Sequence, residues 1–334
     1  MTIRERQERD EEARLSPYAA LSSRSAGRAR PISTCDLRTC YQRDRDRIIH
    51  CKSFRRLKYK TQVFLTPMGD HYRTRLTHTL EVSQVARTLA RSLRLNEDLT
   101  EAAALGHDLG HTPFGHIGES TLNRLLPGGF RHNEQSLRVA ERLENDGQGL
   151  NLCRETLDGI LNHSGQNEPK TLEGWCVRRA DRIAYINHDI DDAIRGGILK
   201  PFELPRRCLS VLGETHGERI DTMIRDIVTT SMDQPFVRMS EEVRQASEEL
   251  RAFLFEYVYH DEWRKKEEAR CDYILSALYE HYLAHPEQLP AEYLEINFTE
   301  GAERAVCDFI ACMTDRYAID QFSEIFVPGA FGRR

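Results

Sequence analysis

Long apolar runs are missing from this 334-residue chain. No stretch approaches the roughly 18 to 20 consecutive apolar residues that a helix needs to cross a bilayer, so no membrane span is expected. Paired cysteines are missing as well. The nine cysteines stand singly, with no CxxC, and Cys35/Cys40 and Cys307/Cys312 are the closest pairs. An odd number at irregular spacing excludes a disulfide framework and fits reduced, mostly buried thiols in a cytoplasmic protein. A net basic field is absent too: the formal charge is −6, so nothing at whole-chain level advertises nucleic acid or a membrane surface. The first residues, MTIRERQERDEEARL, have neither the apolar centre of a secretion signal nor the acid-poor composition of a transit peptide. Lysine is scarce, 7 against 40 arginines. Biased genome composition accounts for part of that. It also means that cations near a phosphate would be planar guanidinium forks, which bind oxygens bidentately.

What the chain does have is concentrated in Ala104 to Glu119, ALGHDLGHTPFGHIGE. This glycine-interrupted run holds three histidines (His107, His111, His116) and two carboxylates (Asp108, Glu119). The adjacent His107-Asp108 pair offers one nitrogen and one hard oxygen donor from a single turn. Imidazole with carboxylate suits Mn, Fe, Zn, Ni or Mg rather than a structural thiolate site. The further histidines can move protons without being ligands. The run points to a metal-dependent hydrolase.

Two more donors lie in amphipathic segments. His78 sits in RTRLTHTLEVSQVARTLARSLRL, where Val82, Val85, Ala86, Leu89 and Leu93 recur at helical spacing. Asp181 sits in VRRADRIAYINHDIDDAI, where Ile183, Ile186, Ile190 and Ile194 make an apolar stripe. Asp181, Tyr185, His188, Asp189 and Asp192 share another face at three- to four-residue spacing. Such a face is either solvated or lines a polar cavity, and the matching donors elsewhere favour the cavity. Asn96 with Glu97 and Asp98 predicts the start of the helix leading to the dyad. Gly196-Gly197 predicts the end of the Asp181 helix. Helices are also predicted over 133–145, 152–162, 250–259, 271–283 and 302–317, a basic helical stretch over 36–60, and a short strand at 62–65. Repeats are absent.

Arranged as H…HD…D on separate helices, these residues resemble the HD phosphohydrolase superfamily. The segments RDRIIHCKSFRRLKYKTQVF, GDHYRTRLTHTLEVSQ, HDLGHTPFGHIGE and RHNEQS are similar to the dGTP triphosphohydrolase-like branch of the deoxynucleoside triphosphohydrolases. The likeness spans about residues 41–197 and continues through AEYLE and ERAVCDFIACMTDRYA. Residues 1–33, charged, rich in Ser and Arg and with few apolar anchors, read as a mobile leader; the helical organisation with this likeness implies an all-α fold, an HD-domain helical core (34–200) and a C-terminal helical extension (201–334).

The same resemblance assigns roles. His78, His107, Asp108 and Asp181 would bind one divalent metal ion with positions left open, as catalytic sites require. His116 and Glu119 would handle the protons of attacking water and leaving oxygen, with His111 and His132 completing that layer. Arg75 and Arg182 would meet the nucleotide and its triphosphate. Tyr185 would pack beneath C2′, and Gln62 and Asp189 would hold the 3′-hydroxyl, giving preference for deoxyribose a physical cause. The implied reaction is cleavage of a deoxynucleoside triphosphate at the α-phosphorus, releasing deoxynucleoside and tripolyphosphate. Relatives imply a homo-oligomer (tetramer or hexamer) and regulation by an allosteric nucleotide or single-stranded DNA. Two alternatives stay open at this point. One is an HD phosphohydrolase of other scope, a nucleotidase or a nuclease on single-stranded ends, which the Arg43–Lys60 stretch with Phe54 and Tyr59 would serve. The other is a catalytically silent nucleotide- or nucleic-acid-binding regulator.

Overall fold

Helix starts follow side chains able to accept the first unpaired backbone donors. Thr74 and Thr171 cap the two longest core helices, Asn96 caps the one leading to the dyad, and Thr39, Thr215 and Thr314 do the same elsewhere. The computed structural model describes residues 1–62, 73–257 and 262–328. Its helices are α1 (Ile3–Arg14), α2 (Cys40–His50), α3 (Lys52–Arg56), α4 (Arg75–Ser92), α5 (Glu97–Gly106), α6 (His116–Leu125), α7 (His132–Arg138) and α8 (Arg154–Asn162). They continue as α9 (Leu172–Arg195), α10 (Arg206–Leu212), α11 (His216–Ser231), α12 (Glu241–Tyr257), α13 (Glu262–Ala284), α14 (Ala291–Glu300), α15 (Ala302–Cys312) and α16 (Asp315–Phe326). Among the described residues there is no sheet, only isolated bridges at Arg28–Cys153 and Thr61–Thr74. The strand expected at 62–65 lies, except for Gln62, outside the described residues.

The α4, α5 and α9 helices pack together at the centre. The apolar stripes expected on α4 and α9 enter one core cluster containing Val82, Leu89, Ile183, Ile186 and Ile190. That cluster does not stop near residue 200: Leu212, Met223, Ile227 and Leu250 of α10–α12 complete it. A second cluster joins α6 to α13–α16 through Leu122, Leu275, Leu278 and Ile310. The C-terminal region therefore closes the core on two sides. The helix expected over 133–145 is shorter. It passes from α7 into a π turn at Val139–Leu143 and ends where buried Glu144 accepts hydrogen bonds from the backbone of Lys52 and Ser53.

Residues 1–33, expected to be a mobile leader with few apolar anchors, make polar contacts with the core. The α1 helix carries a Thr2/Glu5 capping box. Within the leader Glu11 accepts from the backbone of Ser22; toward the core, buried Glu173 accepts from that of Ala20 and the Arg28 guanidinium pairs with buried Asp44. Buried carboxylates must find donors, and this strap supplies them. The basic stretch also differs from expectation. Phe54 is buried, and Lys60 is wholly buried with Nζ donating to the carbonyls of His111 and Ala311. Of the two aromatics expected to interleave with the basic residues, only Tyr59 is exposed, with Lys58 Nζ 5.1 Å from its ring centre.

Candidate active site

The glycines of the HD run set its shape. At Gly110 a Cβ would lie 2.1 Å from the backbone nitrogen of Ser136, so only glycine lets this turn press against α7. Ser136 Oγ then accepts from Gly110 N at 2.9 Å and donates to the His107 carbonyl at 2.7 Å. Phe114 and Gly115 both take positive φ, +60° and +61°, and turn the chain into α6. His107 is the residue that ends α5, and Asp108 follows in the turn.

Three sides of a buried pocket meet there. His78, His107 and Asp108 place one ligand atom each within 4.8 Å of one another. Asp181 of α9 adds Oδ1 at 3.2 Å from His78 Nε2 and 3.9 Å from His107 Nε2. His107 Nδ1 lies 2.7 Å from the Ala104 carbonyl, so that nitrogen carries the proton and Nε2 the lone pair. Nε2 is buried and has no hydrogen-bond partner among the described residues. It faces Asp108 Oδ1 at 3.6 Å, acceptor against acceptor. Burial works against the charge on Asp108, yet the positive charge around it, the buried Arg75 guanidinium included, holds it well below the usual carboxylate range. Asp181 is likewise held low against burial by the His78 hydrogen bond. Two ionised carboxylates around an unprotonated imidazole nitrogen make a site that a divalent cation fits.

Arg75, at the start of α4, is buried. It donates to Asp108 Oδ2 at 2.8 Å and to the Gln62 carbonyl at 3.2 Å. It thus braces the carboxylate, and the nucleotide contact expected of it would have to share this engagement. Gln62 is buried beside it, and its Oε1 has no partner among the described residues.

The expected proton-handling residues adjoin the pocket. Glu119 Oε1 accepts from His132 Nδ1 and backbone N, both at 2.8 Å, and its Oε2 lies 3.4 Å from His116 Nδ1. Burial opposes ionisation of Glu119, but these hydrogen bonds hold it well below its ordinary value. His132 is also opposed by burial and is nonetheless raised by Glu119. His111 stacks on His132 with centroids 4.8 Å apart, and burial with Arg75 pushes it down strongly, so its ring stays neutral. The His116 side chain is 69% exposed. It faces a cavity of about 460 Å³ that Gln62 and Phe114 also line.

Along α9, Tyr185 and Asp189 follow Asp181 by one and two turns. Tyr185 is partly buried, which pushes its phenol up to about 12, and Asp189 is buried. Arg182 opens into a cavity of about 430 Å³ with Arg179, Arg238 and Arg244. The polar face of α9 is therefore turned inward at His188, Asp189 and Asp192, not left to solvent.

Sequence reasoning missed His163. It caps α8 as His107 caps α5, with Nδ1 again 2.7 Å from the carbonyl three residues earlier, that of Ile160. Its ring meets His107 at 4.9 Å and His132 at 5.2 Å between centroids. Burial and the adjacent His107 push its imidazole down to about 3. The one available signal was a histidine at a helix end followed by Ser-Gly, as His107 is followed within three residues by glycine.

Residues 75–186 match the HD domain, and residues 237–324 match the Phosphohydrolase-associated domain. The chain is 59% identical over 328 residues to a Deoxyguanosinetriphosphate triphosphohydrolase-like protein of Caldanaerobacter subterraneus subsp. tengcongensis, covering 98% of this chain and 97% of that one. Proteins of the same description match from Clostridium perfringens, 51% identical with 98% of each chain covered, and from Desulfatibacillum aliphaticivorans, 49% identical with 98% and 99% covered. With this identity along nearly the whole of each chain, and with the HD ligands gathered in one buried pocket, the chain belongs to the deoxyguanosinetriphosphate triphosphohydrolase-like family of HD-domain proteins.

Proposed function

We propose that the protein hydrolyses deoxynucleoside triphosphates of the dGTP type at the α-phosphorus, giving the deoxynucleoside and inorganic tripolyphosphate. The observation that carries this reading is the buried meeting of His78, His107, Asp108 and Asp181 beside the Glu119–His132 pair. A divalent cation held by those four residues would supply positive charge to the phosphoryl oxygens and acidify bound water. The protein's own residues do the rest. A water oxygen bonds to the α-phosphorus, the bond from phosphorus to O5′ breaks, and O5′ leaves with a proton. His116 and Glu119 stand where those protons are handled, the carboxylate held ionised by its two histidines. Arg75 keeps Asp108 ionised and oriented, and Arg182 with its arginine neighbours receives the triphosphate. Tyr185 closes the space beneath C2′, while Asp189 and Gln62 Oε1, which has no partner among the described residues, take the 3′-hydroxyl.

The same reading extends to a catalytic core over 34–200 with a C-terminal helical region, and to a cytoplasmic homo-oligomer of four or six chains. It also includes regulation by a nucleotide or single-stranded DNA. No described helix is long and apolar enough to cross a membrane. The deciding assay incubates purified protein with Mn²⁺ and each dNTP and resolves the products. Nucleoside with tripolyphosphate supports the reading, whereas monophosphate or diphosphate products, or cleavage of GTP as fast as dGTP, overturn it.

A further inference from the structure

Two thiols that the assigned chemistry does not use meet where α2, α8 and the leader come together. Cys40 is the first residue of α2, and Cys153 stands immediately before α8 as its cap. They share a small core cluster with Tyr41 and Leu99, in which Cys153 is wholly buried and Cys40 is partly exposed. Their side chains are hydrogen-bonded to each other. Cys40 Sγ also donates to the Ser22 carbonyl at 3.5 Å, so the Cys153 thiol is the donor within the pair. The backbone fixes both positions. Arg28 pairs with Cys153 in an antiparallel bridge and donates to the Cys40 carbonyl at 2.8 Å. Asp44 accepts from Cys153 N at 2.8 Å and pairs with the same guanidinium. Two sulfurs in hydrogen-bond contact on separately anchored elements can be joined with little backbone movement. Cys40 is placed to react first. It is partly exposed, it opens a helix, and the Arg28 guanidinium and the Cys153 S–H both favour its thiolate. The hydrogen bond from Cys153 accordingly pulls the Cys40 thiol down, and the same bond together with burial pushes the Cys153 thiol up.

We propose that Cys40 and Cys153 are a redox-active pair that a hydroperoxide closes into a reversible disulfide. The Cys40 thiolate attacks one peroxide oxygen, the O–O bond breaks, and the departing hydroxide takes up the proton that Cys40 released. Cys40 is then a sulfenic acid. The Cys153 sulfur attacks the Cys40 sulfur, the S–O bond breaks, and the leaving hydroxide departs as water with the Cys153 proton. The two thiols give up two electrons and two protons, and the peroxide is reduced to water. The new bond ties the start of α2 to the start of α8. It closes a loop that holds α2 to α7, with His78, His107 and Asp108 inside it. It also removes the proton by which Cys40 holds the Ser22 carbonyl, so a contact to the leader is lost as the cross-link forms. Small thiols reopen the bond by exchange, so in a reducing compartment the closed form is transient, as suits a sensor rather than a structural staple. The pair is independent of the proposed substrate.

The probe is hydrogen peroxide with the full chain. Reduced protein freed of reductant is treated, its remaining thiols are alkylated in denaturant, and non-reduced digests are read by mass spectrometry. Wild type should yield a Cys40–Cys153 cross-linked peptide in most chains, and dithiothreitol should abolish it. Recovery of both cysteines as alkylated thiols overturns the proposal, as does over-oxidation of Cys40 with Cys153 left as a thiol. A bond from Cys40 to Cys35 overturns it too. Cys35 is the rival because it is partly exposed and the backbone N–H groups of Leu37 and Arg38 lower its thiol to about 7. In Cys153→Ser the sulfenic acid on Cys40 has no partner, so dimedone should trap it there and not in wild type; trapping in both alike is an overturning result. The wild-type cross-link decides the matter even if that variant fails to fold. The cross-linked protein should also melt about 5 °C or more above the reduced form, because the unfolded chain loses loop freedom. A cross-linked form that melts no higher means that closure distorts the fold, and overturns the preformed pair.

Discussion

Asp108 carries two duties that mutation can separate. Its Oδ2 holds the buried Arg75 guanidinium at 2.8 Å, while its carboxylate also faces the metal pocket. Asp108→Ala strands a buried cation, a loss of about 3–5 kcal/mol in stability. His107→Gln removes a ligand and leaves Arg75 paired. We expect His107→Gln to melt near wild type in chelator while losing bound metal and at least ~10²-fold in turnover, since the ion supplies several kcal/mol of charge stabilisation. Near-normal turnover of His107→Gln, or of wild type in chelator, ends the metal-dependent reading. The Glu119–His132 pair makes a pH prediction for metal-free protein. Glu119 is depressed in the fold, so its contribution is present above the ordinary value of about 4.3 and lost as pH falls through the lower one. His132 is raised, so its contribution is complete below about 6.5 and lost as pH rises through the higher value. Both act together at roughly pH 4.5–6.5. The melting-temperature gap between wild type and His132→Gln should be widest there and shrink above neutrality; a gap that stays flat with pH contradicts the assignment.

At the scale of the element, α9 concentrates the expected selectivity, with Asp181, Arg182, Tyr185 and Asp189 within about two turns. Tyr185→Ala should admit ribonucleotides, narrowing the ratio of kcat/KM for dGTP over GTP by about tenfold or more. Asp189→Ala should instead narrow the gap between a normal and a 2′,3′-dideoxy substrate; if the two variants behave alike, their roles are wrong. Much of α9 was legible in the sequence, because its isoleucine spacing and its closing Gly196-Gly197 are local signals. Asn96 marked a helix start in the same way. What stayed hidden was nonlocal. The strap over residues 1–33 docks by hydrogen bonds to Asp44 and Glu173, and no hydrophobic period records that. His163 becomes part of the site only because α8 packs on α5 and α7, a meeting that its own neighbours in sequence do not announce.

Across the whole molecule, the last helices hold the catalytic turn in place. Asp315, the first residue of α16, accepts from Phe114 N at 2.9 Å and Thr61 N at 2.8 Å, and the Ala311 carbonyl accepts from Lys60 Nζ at 2.8 Å. Asp315→Ala leaves those buried or half-buried donors unpaired. We expect about 2–4 kcal/mol lower stability in urea denaturation, with turnover reduced although the residue lies outside the catalytic set. Full activity with unchanged stability would refute the clamp.

That clamp has a consequence in time as well as in space. Residue 315 is made long after residue 114, and at roughly 5–20 residues per second the interval on the ribosome is about 10–40 s. During it α4, α5 and α9 can assemble the metal pocket, but the turn from His111 to Gly115 still lacks its anchors. The nascent chain passes through a stage that can gather ligands before it can hold them still, and completion of the site waits until residue 315 has been made.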